Sequence, residues 1–225
     1  MSVIYEERQA DTPFVETIWR TRVTGDGCDD VSADVCWDML LVIQDDKIKV
    51  SVWGPMTKTT PIPHVEGQEW LGIRFKLGTF MPHLPADKLV NQGITLPRAR
   101  CNSFWLSSST WETPNYENAE TFVDRLIREG LLYRDTVVEA SLQGHSQDIS
   151  SRTLQRRFQR VTGLTQRTVR TIERARLAVS LLRGGVPILD VVYQTGYADQ
   201  QTMTKSLKHL IGLTPAQITR IRTYE

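Results

Sequence analysis

One segment of this 225-residue chain recurs at an offset of 49 residues, and the recurrence restricts what the surrounding sequence can fold into. Ser150, Leu154, Phe158 and Gly163-Leu164-Thr165 correspond to Asp199, Met203, Leu207 and Gly212-Leu213-Thr214. Each copy opens on a side chain that accepts from the free amides of a helix start and places apolar residues four apart on one helical face. Each closes on glycine, where the chain must leave the helix. Two copies of one amphipathic helix need apolar surfaces to bury against, so the second half is predicted to be all helix.

The opposite face of each copy carries the functional signal. It presents Ser151, Arg152, Gln155, Arg156 and Gln159 in the first copy, and Gln200, Gln201, Thr204, Lys205 and Lys208 in the second, with no carboxylate among them. Arg reads guanine edges and Gln reads adenine edges in a major groove, while Thr and Lys touch bases or phosphates. Ahead of the second copy, Pro187 starts a helix, Ile188, Val191 and Val192 form an apolar stripe, and Gly196 stops it. Helix, short turn and second helix over about 187–212 make a helix-turn-helix unit. A first unit over about 135–163 is predicted with a weaker leading helix, interrupted at Gly144 and Gln147. Between the units, Thr165 to Arg183 reads as one helix with Val169, Ile172, Ala175, Val179 and Leu182 inward. Its length of roughly 27 Å falls short of the roughly 34 Å between successive major grooves, which predicts DNA bending or imperfect seating of one unit.

Charge divides the same way. The net charge of +1 conceals 13 Lys/Arg against 4 Asp/Glu in residues 151–225, and 14 against 22 before them. A basic part beside an acidic one fits a polyanionic partner for the former. Three cysteines, Cys28, Cys36 and Cys101, give neither a disulfide framework nor a zinc motif. No apolar run approaches the roughly 20 residues of a membrane span, and no signal segment is legible, so a cytoplasmic protein is expected.

All six tryptophans lie in the first half, which predicts a different core there. Residues 36–53 read as a β-hairpin turning at Asp45 and Asp46, Trp70 to Gly78 as a further strand, and Pro85 to Gln92 as a short helix. The fold class is therefore α+β, with a mainly β domain (1–115) and a helical domain (116–225). The latter begins with a linker helix (117–132), in which Phe122, Leu126 and Ile127 share a face. Trp37, Trp53, Trp70 and Trp105 are candidate linings of a ligand pocket, or plain core. His64 and His83 with Glu66 and Glu69 lack metal-ligand spacing, and Asp29, Asp30, Asp34 and Asp38 do not follow a calcium loop. No cofactor or metal is expected, and no nucleophile-base pair or phosphate loop suggests an enzyme.

The stretches RTLQRRFQRVTGLT and RARLAVSLLRGGVPILDVVYQTGYADQQTMTKSLKHLIGLTPAQI resemble the AraC/XylS family of transcription regulators over about residues 135–221. The resemblance implies Arg152, Gln155 and Arg156 as base readers in the first unit, and Gln200, Gln201, Thr204 and Lys205 in the second. Thr214-Pro215-Ala216-Gln217 fits the family's closing motif. Lys205 stands where the family usually has Arg, and Lys makes no bidentate fork, so softer base specificity is implied for the second unit. Met203 and Leu207 replace the more usual aromatics. Such regulators often carry an N-terminal sensor, which the stretch GIRFKLGTF weakly resembles. The implied partners are double-stranded DNA, a small-molecule effector, RNA polymerase or a second copy of the chain. The alternative is a ligand-independent regulator whose first domain mediates dimerisation or polymerase contact.

Overall fold

The computed structural model describes residues 3–100, 102–142 and 149–221. Cys101, Gly144 and Gln147 lie outside them, and with the last two the turn of the first predicted unit. The first half runs β1 (Val3–Gln9), β2 (Val15–Val23), β3 (Gly27–Val31), β4 (Asp38–Gln44), β5 (Lys47–Trp53), β6 (Thr60–His64), β7 (Glu69–Phe75), β8 (Thr79–Phe80), β9 (Gly93–Thr95), β10 (Ser103–Leu106) and β11 (Ser109–Glu112). Next come α1 (Ala119–Arg128), the two-residue β12 (Tyr133–Arg134), α2 (Thr136–Leu142), α3 (Ser151–Thr162), α4 (Gln166–Arg183), α5 (Ile188–Thr195), α6 (Gln200–Leu210) and α7 (Pro215–Ile221).

Six strands form an antiparallel sheet in the order β1-β2-β7-β4-β5-β9. The predicted hairpin is β4 and β5, with Gln44 opposite Lys47 and both turn residues at positive φ, Asp45 at 49° and Asp46 at 57°. That pair of left-handed residues matches the twist of the flanking strands, and Asp tolerates it better than most side chains. Alternation then sends Met39, Leu41, Val50 and Val52 to the buried face, where they meet Val15, Ile18, Ile73 and Phe75. Strands β3 and β6 pair separately as a two-stranded ribbon.

Three sequence expectations change. The helix expected at Pro85 to Gln92 is a single 3-10 turn, Ala86–Lys88. Asn91, at φ 61°, cannot continue it. The second half is not wholly helical, because Tyr133 and Arg134 pair with Phe80 and Thr79. Finally, α1 buries Ala119, Phe122, Val123 and Leu126 in the same cluster as the strands, with Phe122 edge-on to Trp111 at 5.8 Å between ring centres. The apolar stripe was legible; the core it joins was not.

A second cluster holds the helices together around Phe158, Val169, Ile172, Ala175, Leu182, Val191, Met203 and Leu207. It also takes in Ala33, Val35 and Cys36 from the loop before β4. The two halves are therefore joined by packing as well as by the chain.

Gly163 sits at φ +74°, and a Cβ there would lie 2.5 Å from the Ala86 carbonyl oxygen, whereas Gly196, at φ +69°, has open space around it. Gly196→Ala is expected to lose about 1 kcal/mol from backbone strain alone. Gly163→Ala adds a clash with fixed backbone and is expected to lose about 3 kcal/mol. Urea unfolding of both variants checks this, and equal losses would contradict the close approach at Ala86.

Candidate nucleic-acid interface

The repeat is visible as chemistry. Ser150 Oγ accepts from the Thr153 amide at 3.2 Å, and 49 residues on an Asp199 carboxylate oxygen accepts from the Thr202 amide at 2.6 Å. Thr165 Oγ1 accepts from Thr168 N at 3.1 Å, and Thr214 Oγ1 from Gln217 N at 3.3 Å. Each cap satisfies an amide that has no partner within its own helix. The Thr202 and Gln201 amides hold the Asp199 carboxyl below its ordinary pKa, so the second cap stays ionised.

These caps fix which face of each helix is buried. In α3, Phe158, Val161 and Thr162 turn inward, leaving Ser151, Arg152, Gln155, Arg156 and Gln159 exposed. In α6, Met203, Leu207 and Leu210 turn inward, leaving Gln200, Gln201, Lys205 and Lys208 exposed. Thr204 is half-buried, and its hydroxyl donates to the Gln200 carbonyl at 2.8 Å. Among the described residues no hydrogen bond or ion pair engages the side chains of Arg152, Gln155, Arg156, Gln200, Gln201, Lys205 or Lys208. Their donors are available to a partner. Gln159, in the last turn of α3, also borders a cleft shared with the first half.

Two further arginines set the positions of the exposed ones, and the sequence reading did not single them out. Arg157 pairs with Asp135, whose carboxylate also accepts from the Val137 and Val138 amides at the start of α2. The first helix pair is thereby tied together. In the second, Arg174 lies over the Tyr197 ring at 5.3 Å and reaches the Gly196 carbonyl at 3.5 Å, while the Tyr197 hydroxyl meets Ser206 Oγ at 3.0 Å. An Asp just ahead of an apolar run was the available signal for the first contact; nothing local marks the second.

The first half grips both helix pairs at their C-terminal ends. The Ala33 amide donates to the Leu210 carbonyl at 2.6 Å and the Thr59 amide to the His209 carbonyl at 3.0 Å. These are the last carbonyls of α6, which lack partners within their helix. Gly212, at φ +85°, lies against Thr59 and Asp30, as its repeat partner Gly163 lies against Ala86. The Asp135 amide completes the junction by donating to Gly78 O at 2.8 Å.

The other candidates are dispersed. Trp37 is 3% exposed within the first core and Trp105 is 44% exposed. Trp53 and Trp70 are half-buried on β5 and β7, with β4 between them, and donate to Ser51 and Gln68 respectively. His64 lies beside Asp29 at 3.2 Å, while Glu69 pairs with Arg22. Among the described residues no group of three or more His, Cys, Asp or Glu is placed to hold a metal, and no helix is long and apolar enough to cross a membrane.

Residues 146–221 match the family model described as a helix-turn-helix domain, and this segment is an AraC-type helix-turn-helix domain. No curated protein sequence matches the chain. Among solved structures, the crystal structure of ToxT from Vibrio cholerae O395 is similar, at 9% sequence identity over 97% of each chain with a TM-score of 0.42.

The junction carries a titrating group. Asp34, 6% exposed, accepts from the Met56 amide and pairs with Arg74 at 3.1 Å; Arg74 also serves Asp38 at 3.0 Å. Burial and the neighbouring Asp38 outweigh the guanidinium and push the Asp34 carboxyl up to about 7. The native state then holds this proton over a range where the unfolded chain has released it. The stabilisation is complete below about pH 4 and is lost as pH rises through about 7. Stability measured across that window should fall less steeply in Asp34→Asn than in the parent; identical slopes would contradict the assignment.

Proposed function

We propose that this chain is a sequence-specific DNA-binding transcription regulator of the AraC/XylS type. Residues 135–221 bind duplex DNA, and the body before them, α1 included, governs how they do so in response to a small molecule or partner. The observation that carries this reading is the pair of capped, carboxylate-free helix faces whose Arg, Gln and Lys donors have no partner among the described residues. Helices α3 and α6 enter successive major grooves, and their partners α2 and α5 brace them over the backbone. Arg156 and Gln201 read base edges, while Lys208 meets phosphate. Thr204, its hydroxyl proton committed to its own helix, offers a methyl group and an acceptor.

A junction that meets both helix pairs supports control from the first half. Anything that shifts residues 30–34, 59 or 86 moves a contact at the end of a reading helix. A second reading, in which the first half serves mainly to pair two copies of the chain, is supported by the free outer edge of β1. Ile4 and Tyr5 are 62% and 55% exposed there.

Arg156→Ala and Gln201→Ala are each expected to lower affinity for a selected operator by about 1–3 kcal/mol and to relax preference at one groove. Lys208→Ala is expected to weaken all sequences alike and to reduce the salt slope by about 1. Titration of labelled duplexes at several salt concentrations checks all three. Unchanged operator affinity in both of the first two variants would overturn the base-reading assignments. A changed base preference in Lys208→Ala would overturn its phosphate role.

A further inference from the structure

The interior of the strands is filled: Trp37, Met39, Leu41, Phe75, Phe104 and Trp111 all pack in one buried cluster. Open space is found outside that cluster, and part of it lies where the halves meet. A cleft of about 630 Å³ is bounded by residues 80–87 and Tyr133 on one side and by Gln159 and Arg160 of α3 on the other. That volume is in the range of small-molecule sites. Phe80, Met81, Pro82, Leu84 and Pro85 give it an apolar wall. The Phe80 and Tyr133 rings, 6.3 Å apart and tilted by 38°, are both partly exposed and offer an aromatic surface.

Two charged side chains complete the lining, Asp87 from the first half and Arg160 from α3. Neither has a hydrogen-bond or ion-pair partner among the described residues, so they are not paired with each other. An anion and a cation unpaired among the described residues, together with an apolar wall, are the complement of a molecule with the opposite three features.

We propose that this cleft binds a zwitterionic small molecule with an apolar or aromatic side group, of the amino-acid or dipeptide class. Its carboxylate meets Arg160, its ammonium meets Asp87, and its side group lies against Phe80, Tyr133 and the proline-rich wall. The site is built from both halves. The wall continues into Ala86, whose carbonyl packs on Gly163 at the end of α3. Occupancy therefore bears on the placement of the first reading helix, and this consequence rests on the DNA-binding function proposed above.

The test is calorimetric titration of the full chain with L-phenylalanine and with the dipeptide L-phenylalanyl-L-phenylalanine. N-acetyl-L-phenylalanine, which lacks the cation, and phenylethylamine, which lacks the anion, are titrated alongside. The zwitterions should bind with a Kd of about 1 mM or tighter, and each single-charge analogue about tenfold more weakly. Arg160→Gln and Asp87→Asn, both at exposed positions, should each weaken zwitterion binding about tenfold, and Leu84→Trp should fill the cleft and abolish it. No binding at about 10 mM, or equal binding of the single-charge analogues, would overturn the assignment. So would binding indifferent to both charge substitutions. In a parallel titration with a labelled duplex, saturating zwitterion should change DNA affinity several-fold. Zwitterion binding with unchanged DNA affinity would overturn the effector role. Zwitterion binding by a chain that binds no duplex under any condition would support the cleft assignment and refute the DNA-binding function instead.

Discussion

The last carbonyls of an α-helix have no partners of their own, and in α6 two of them are met from outside the helix. The amides of Ala33 and Thr59 cap Leu210 and His209. These bonds place the C-terminal end of α6 on the β-rich half, and the turn at Gly212 continues the contact. At the equivalent place in the first unit, Gly163 approaches the Ala86 backbone too closely for any side chain. The linker helix α4 alone would leave the two units free to rotate at its ends. With both units seated on one body, their spacing and relative direction become properties of the whole chain.

This arrangement accounts for the uneven charge. The acidic half packs against the C-terminal ends of α3 and α6, and the carboxylates near the junction are largely committed: Asp34 and Asp38 to Arg74, Asp135 to Arg157, Glu139 to Arg134. Among the described residues no ion pair engages the cations Arg152, Arg156, Lys205 and Lys208 on the exposed faces of α3 and α6, which favours approach to phosphate. Arg74 gains its hold from the same geometry. Burial opposes its charge, but Asp38 and Asp34 more than offset that and push its pKa further up.

How much of this was legible in the sequence depended on how local the physics was. N-caps, stop glycines and an Asp-Asp turn act within four residues, so the repeat, α4, α5, α6 and the β4–β5 hairpin could be read directly. Allegiance between elements could not. The stripe of Phe122 and Leu126 says that α1 has an apolar face, but only packing against Trp111 assigns it to the first core. Ala33, Val35 and Cys36 sit in a stretch without periodicity and still enter the second core. Arg157 resembled its neighbours Arg152 and Arg156 as a basic residue on a helix; one residue of register beyond Arg156, about 100° around the helix, turns it toward Asp135. On sequence the tryptophans suit pocket lining or core, and only tertiary placement distributes them: Trp37 fills the first core, Trp53 and Trp70 cover strands, and Trp105 stands exposed.

The central claim is that two units held in one fixed relation both read DNA. The most direct measurement is selection of bound sequences from a random duplex pool by the full chain, at physiological salt and against a non-specific competitor. The account predicts an enriched motif of two blocks separated by about one helical turn, or about 10 base pairs. A single enriched block, or binding that follows salt without any enriched sequence, would contradict it.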